Sequence, residues 1–253
     1  LPVMPSAGFR YKVLTGKAFY LKGNLSRNYN LPSLNDLYWI PGGNPDLRPE
    51  NSINGDLSLE FSRAGKQLVY HGSINGFATR VEDWILWKPG PYGHWEAENL
   101  ALVFSRGMDL QLGSDMAMGN WLLTLKANYA YTRSTNEGIV RSTDLSRGKQ
   151  LIYIPVHSSN AFLNLARSGY FLNWSISYTG RRYTQPSNEE NGYLDDLDPY
   201  TLQDLHLGKT WSIGQSNAAL RFTVYNIFNI SYQAVRSRPM PMRNYSLTLS
   251  LEI

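Results

Sequence analysis

The sequence contains no cysteine, which removes disulfides and thiolate metal sites and fits passage through an oxidising periplasm. Charge is scarce: 17% of residues are ionisable acids or bases, against about 25% in ordinary soluble domains. The net charge of +4 is mild and the basic residues form no stripe, so nucleic acid is not expected as a partner. No run approaches the roughly 18 apolar residues of a membrane helix, so helical crossing is excluded. Helical periodicity is nearly absent. So are phosphate-loop, nucleophile-elbow and paired-histidine patterns. Hence no enzyme, metal or cofactor is expected. The acidic stretch at Asp195, Asp196 and Asp198 has the wrong order for a calcium loop and reads as solvated.

What the sequence does have is aromatic residues, 13%, and strict alternation. Ile53, Gly55, Leu57, Leu59 and Phe61 alternate with Asn54, Asp56, Ser58 and Glu60. Trp121, Leu123, Leu125, Ala127, Tyr129 and Tyr131 alternate with a mostly polar set that includes Lys126. Tyr245, Leu247, Leu249, Leu251 and Ile253 alternate with Asn244, Ser246, Thr248, Ser250 and Glu252. Eleven strands follow, near 7-13, 17-27, 52-62, 67-83, 97-113, 119-133, 156-167, 170-181, 200-213, 216-228 and 243-253. Their connections alternate between short turns (14-17, 63-66, 115-119, 168-169, 214-215) and long loops (28-51, 84-96, 134-155, 182-199, 229-242). A transmembrane β-barrel has short turns on one side, long loops on the other, and a polar lumen that lowers the mean hydropathy, here -0.36. A soluble β-sandwich binding module is the bland alternative, but it has no reason to keep that order. Trp121 and Tyr131 are ten residues apart on one face. That is about 33 Å of strand, or about 25 Å of membrane normal at a tilt of about 40°. One residue is out of place: Arg106 shares a face with Leu100, Leu102, Phe104, Met108, Leu110 and Leu112. Its strand is expected to project above the membrane so that Arg106 snorkels toward the head groups, or to carry a bulge.

Two stretches resemble the TonB-dependent outer-membrane receptors. "LKGNLSRNYNLPSLNDLYWIPGGNPDLRPENS" (21-52) resembles a family strand and its Asn-Pro-Asp-Leu-Lys-Pro-Glu loop, with Arg48 for Lys. "VYNIFNISYQAVRSRPMPMRNYSLTLSLEI" (224-253) resembles the C-terminal signature in a Bacteroidetes-type form, and "PYTLQDLHLGKTW" (199-211) is a weaker match. Two departures are Met242 in place of the family's Gly and Ile253 in place of a terminal Phe. The resemblance implies an all-β, roughly 22-stranded plugged barrel in the bacterial outer membrane. Residues 1-253 would supply about eleven C-terminal strands and no plug. The partners it implies are the N-terminal half with its plug, the TonB complex through that half, and outer-membrane lipid and lipopolysaccharide. In Bacteroidetes-type systems a surface lipoprotein lid joins them.

The implied activity is binding and import of a scarce ligand, cobalamin or an iron-siderophore, energised through TonB. Haem or oligosaccharide import by the same family and an outer-membrane β-barrel enzyme are the alternatives. The "NPDLRPE" motif is expected to be structural, its prolines stiffening an outer loop. Ligand contacts are expected in the loops. Trp87, Tyr92, His94 and Trp95 suit a sugar, a corrin or an aryl chelate. Arg181, Arg182 and Tyr183, with Arg236 and Arg238, suit an anionic ligand or lipopolysaccharide phosphate.

Overall fold

The computed structural model describes residues 2–138, 145–189, 196–214 and 216–252. Asp195, Gln215 and Ile253 lie outside the described residues. The eleven main strands form one antiparallel sheet in chain order. They are β1 (Ser6–Lys12), β2 (Ala18–Asn30), β3 (Glu50–Ala64), β4 (Leu68–Pro89), β5 (Trp95–Met118), β6 (Trp121–Asn136), β7 (His157–Arg167), β8 (Tyr170–Thr179), β11 (Tyr200–Ile213), β12 (Ser216–Tyr225) and β15 (Asn244–Glu252). Two short ladders lie in the loops: β9 (Arg182–Tyr183) with β10 (Asp196–Leu197), and β13 (Gln233–Val235) with β14 (Arg238–Pro239). Among the described residues there is a single main sheet with no second sheet packed on it, so the sandwich alternative is set aside.

Directly paired residues in an antiparallel sheet share a face, and the register sorts the two faces cleanly. One row runs Leu21, Leu59, Ile74, Leu110, Tyr129. Another runs Leu123, Leu165, Leu172, Leu207, Phe222, Leu247. The opposite face carries Lys22, Ser58, Asn75, Asp109 and, farther along, Thr124, Asn164, Asn173, His206, Thr223, Ser246. The polar face is internally paired: Lys22 bonds Glu60 at 2.6 Å, and Thr124 donates to Asp115 at 2.6 Å. The apolar face is bare, with Leu247 69% and Leu249 71% exposed. A continuous apolar surface of this extent is not stable in water and requires lipid. Its short-turn end is ringed by Trp121, Tyr170 and Trp211, and cationic side chains lean over the first two. The Arg167 guanidinium lies 5.1 Å from the Trp121 ring, and Lys209 reaches the Tyr170 hydroxyl at 2.9 Å.

Most boundaries fall within three residues of the sequence reading, and two differ more. The connection expected over 84-96 is mostly strand. β4 and β5 stay paired from Trp84↔Leu100 to Pro89↔Trp95, so only 90–94 turn. The hairpin rises beyond the membrane because its upper half finds a partner, the folded loop 31–49. The second is at the other end of β5, where the ladder continues to Met118↔Trp121 and leaves a two-residue turn. Leu100 also leaves the face expected for it. Asp83 has a left-handed backbone (φ 56) and the ladder skips it. Beyond this point Leu100, Trp84 and Leu86 pack with Val81, Val103, Leu151 and Ile154 in the main buried cluster. The apolar core therefore lies at the loop end, where water rather than lipid is the surrounding solvent.

Candidate functional site

The loops fold on one another through specific locks. In 31–49, Ser33 caps α1 (Leu34–Tyr38) with a reciprocal Ser33–Asp36 capping box. Asp36 also accepts from the Trp87 indole N–H at 2.8 Å. Burial pushes the Asp36 carboxyl up, but hydrogen bonds from Ser33 and Trp87 outweigh it and leave the pKa below its ordinary value. A Cβ at Gly42 would overlap the Trp95 carbonyl, so only glycine lets this loop reach the hairpin.

The "NPDLRPE" segment is a clasp. Asn44 accepts from the Asp46 N–H at 3.0 Å, a side-chain turn. Asn99 accepts from the Arg48 N–H at 2.8 Å, and its amide donates to the Arg48 and Asp83 carbonyls at 3.0 and 2.6 Å. Arg48 pairs with Asp83 at 2.6 Å, and Glu50 accepts from the Ile85 N–H at 2.8 Å. The motif holds Asp83 in its unusual backbone and so shapes the upper hairpin. "NIFN" works similarly beneath the last loop. Asn226 and Asn229 both have positive φ. Asn226 exchanges two 2.8 Å bonds with the Ile230 backbone, while Asn229 accepts from the Arg243 N–H at 2.9 Å.

The residues expected to contact ligand do not all face the same way. Trp87 is committed to Asp36. Tyr92 and His94 sit at the hairpin tip with stacked rings 6.2 Å apart, and His94 lies 3.1 Å from Glu96. Arg181 pairs with Asp196 at 3.2 Å. Arg182 requires the largest revision: it is 3% exposed. Its guanidinium donates to the carbonyls of Gly180, Asp198, Gln233 and Ala234 at 3.1–3.4 Å and lies 4.9 Å from the Tyr200 ring. Burial lowers its pKa, partly offset by Tyr200 and Tyr153. A side chain so enclosed knots the loops 180–199 and 226–243 together and is not presented to an anion. Arg238 is exposed on β14.

Tyr153, which the sequence pattern gave no reason to single out, joins the separate segments. Its ring lies 5.6 Å from Trp95, and its N–H donates to the Tyr183 carbonyl at 2.8 Å. Burial raises its pKa, opposed by the Arg236 backbone hydrogen bond and by the Arg236 and Arg182 charges. Nearby, Tyr200 and Tyr232 pack at 4.7 Å. Trp95, Tyr183 and Arg236, far apart in sequence, thus meet around one tyrosine. Tyr200 pairs with Thr179, on the polar side of the sheet. Tyr153 escaped notice because "LIYIP" has neither a partner nor a period within its own loop. Among the described residues no cluster of three or more metal-ligating side chains occurs.

A single sheet with a bare apolar outer face, aromatic girdles, a polar inner face, short turns at one end and long interlocked loops at the other is the wall of a transmembrane β-barrel. Residues 2–227 match the family described as "TonB dependent receptor-like, beta-barrel". The chain belongs to this family of outer-membrane receptors, and the loop end is the extracellular end. It is 27% identical over 232 residues to the vitamin B12 transporter BtuB of Photobacterium profundum, covering 90% of this chain and 34% of that protein. It is 26% identical over 229 residues to the iron-regulated outer membrane virulence protein of Vibrio cholerae, covering 83% and 33%. Among solved structures, a ferric enterobactin receptor, PfeA, superposes with a TM-score of 0.70 at 20% identity, covering 98% of this chain and 40% of that one. The copper transporter OprC superposes with a TM-score of 0.69 at 18% identity, covering 98% and 39%. The chain thus spans about a third of the length of its curated relatives. None of these proteins is named as an enzyme.

Proposed function

We propose that this chain is the C-terminal half of the barrel of a TonB-dependent receptor that binds cobalamin or an iron-siderophore and imports it with energy supplied through TonB. The observation that carries the ligand reading is the meeting of Trp95, Tyr153, Tyr183 and Arg236 at the extracellular mouth. Aromatic faces take a corrin or aryl chelate, and a guanidinium takes its acidic substituents. Tyr92, His94, Arg181 and Arg238 flank this group as outer contacts, while Trp87 and Arg182 hold the loops in position. The polar face has a trough of about 860 Å³ lined by Arg10, Glu60, His71, Lys126 and Phe162. The trough suits a plug carried by the N-terminal half, through which the TonB complex would act. Exposed Leu34, Trp39 and Ile40 on the first loop suit a surface lipoprotein lid.

The test is tryptophan-quenching titration of the complete detergent-purified receptor with cobalamin, a ferric catecholate, haem and an oligosaccharide. Saturable binding of one of the first two, weakened at least tenfold by combined Trp95→Ala and Arg236→Ala, is expected. Saturable binding of haem or oligosaccharide alone would move the assignment to that ligand, and binding of none would overturn it.

A further inference from the structure

Toward the loop end, the inward face of β1–β4 changes character. One row begins at Ser6 and runs through Ser26, Asn54, Thr79 and Ser105 to Ser134. The next row toward the turns carries Asn24, Asp56 and Phe77, and the next toward the loops carries Asn28 and Ser52. Beyond Lys22, the inward positions of β2 and β3, and of β4 as far as Val81, hold no cation. Arg27 and Arg80 both pair with Ile53 and so point outward with it. Inward positive charge lies nearer the turns, on Lys22, Arg10 and Lys126. A wall of asparagine, serine and threonine is thus set apart from the charged surface.

Much of this wall's hydrogen-bonding capacity is unspent. Ser6 donates to the Asn24 side-chain carbonyl at 3.3 Å, which leaves the Asn24 amide N–H groups. The Asn54 amide donates to Ser52 at 3.1 Å, which leaves the Asn54 side-chain carbonyl. The side chains of Ser26, Asn28 and Thr79 make no hydrogen bond with the described residues. Asp56 makes no ion pair with the described residues, and Lys22, one rung away, is held by Glu60 at 2.6 Å. The Phe77 ring fills the space over Gly107, where a Cβ would meet it at 2.8 Å. The wall runs on into the mouth. The carbonyl of Ser134, at the end of the row, accepts from the N–H of Leu151 at 2.8 Å, two residues from Tyr153.

We propose that Asn24, Ser26, Asn28, Ser52, Asn54 and Thr79 form a second contact surface for the imported ligand, one that recognises neutral carboxamides, so that the ligand is a corrinoid and not an anionic iron chelate. This rests on the reading of the chain as half of a ligand-importing receptor. A carboxamide both donates and accepts, so it meets the spare N–H of Asn24 and the spare carbonyl of Asn54 together. An anionic ferric catecholate finds no cation on this wall and is repelled by Asp56. At about 4.8 Å between strands and about 3.3 Å per residue, the wall measures about 14 Å across β1–β4 and about 13 Å from Asn24 to Asn28. That is room for several carboxamides along one edge of a macrocycle. The phosphodiester of a corrinoid falls to Arg236 at the mouth, where the charge it needs is present.

The experiment titrates the complete detergent-purified receptor, by tryptophan quenching, with cobalamin, its monocarboxylate isomers (one carboxamide hydrolysed in each), a ferric catecholate and a neutral oligosaccharide. Cobalamin is expected to bind, and at least one monocarboxylate isomer to bind about tenfold more weakly because its new charge meets Asp56. N24A/N54A should weaken cobalamin about fivefold per asparagine. D56N should restore part of that isomer's lost affinity and leave cobalamin unchanged, which a merely structural role for Asp56 would not produce. Saturable binding of the catecholate with none of cobalamin would overturn the corrinoid and leave the receptor reading standing. Equal cobalamin affinity of N24A/N54A and wild type, with W95A/R236A weakened, would overturn the wall alone. If N24A/N54A does not assemble, the wild-type receptor still decides, because monocarboxylate isomers that all bind like cobalamin would overturn carboxamide recognition. Binding of the oligosaccharide in place of cobalamin would overturn the carboxamide as the group recognised.

Discussion

Single side chains divide according to what surrounds them. Leu125 lies midway between Trp121 and Tyr131 on the lipid face, and Thr124 lies on the inner face beside Asp115. Leu125→Lys is expected to destabilise the assembled barrel by about 2–4 kcal/mol. Thr124→Lys gains a carboxylate neighbour and should be tolerated. Folding titrations in lipid vesicles compare the two, and equal effects would show that the face assignment is out of phase. Arg182→Met keeps the bulk but removes the donor that Arg182 gives to four carbonyls, at a cost of about 1–3 kcal/mol. Faster proteolysis confined to 180–199 and 226–243 is the expected sign. A variant as resistant as wild type would mean that the knot is dispensable. Asp36 gives a pH dependence. Its folded pKa lies below the ordinary 3.8, so its contribution is present above that value and is lost as pH falls through the folded value. Trp87 fluorescence should change in acid below about pH 3.8, and Asp36→Asn should remove the change.

At the scale of elements, the tall β4–β5 hairpin and the clasped loop support each other. Most of a strand's stability in this family comes from lipid on one side and its neighbours on both, but the upper hairpin has left the lipid. What replaces it is the 31–49 loop on one side and Leu151 with Ile154 on the other. Asn99→Ala removes three hydrogen bonds of the clasp. It is expected to speed amide exchange in 44–50 and 83–100 by ten- to a hundredfold, matching about 1–3 kcal/mol, without touching exchange in the membrane-level strands. Uniform acceleration throughout the sheet would indicate that the clasp is not a separate unit.

Among the described residues the main sheet spans the molecule and has two free edges, β1 and β15. Unpaired backbone groups in hydrocarbon cost several kcal/mol each, so these edges need neighbouring strands in the membrane. Residues 1–253 alone are expected to aggregate, and co-expression with the preceding half should restore a heat-modifiable barrel. A monodisperse, detergent-free monomer would end the half-barrel proposal. Sidedness is a second whole-molecule property. In a receptor with no native cysteine in this region, Tyr92→Cys and Glu189→Cys should react with an impermeant thiol reagent on intact cells. Ala64→Cys and Asn120→Cys should react only after the outer membrane is breached. The reverse pattern would invert the topology.

The sequence by itself determined the strands, their order, their two faces and the family. Each of these is written in nearest-neighbour patterns: alternation of period two, turn residues between strands, and two local motifs. The same locality explains why "NPDLRPE" and "NIFN" could be recognised, although what they do became visible only in the clasp around Asp83 and the turn around Asn226. Only the tertiary structure decided that 84–89 and 95–96 are strand, because the pairing there is stabilised by a loop some fifty residues earlier in the chain. Tertiary structure also buried Arg182 and placed Tyr153 between Trp95, Tyr183 and Arg236. Loop packing joins residues at large and irregular separations, and no period in the chain records which of them will meet.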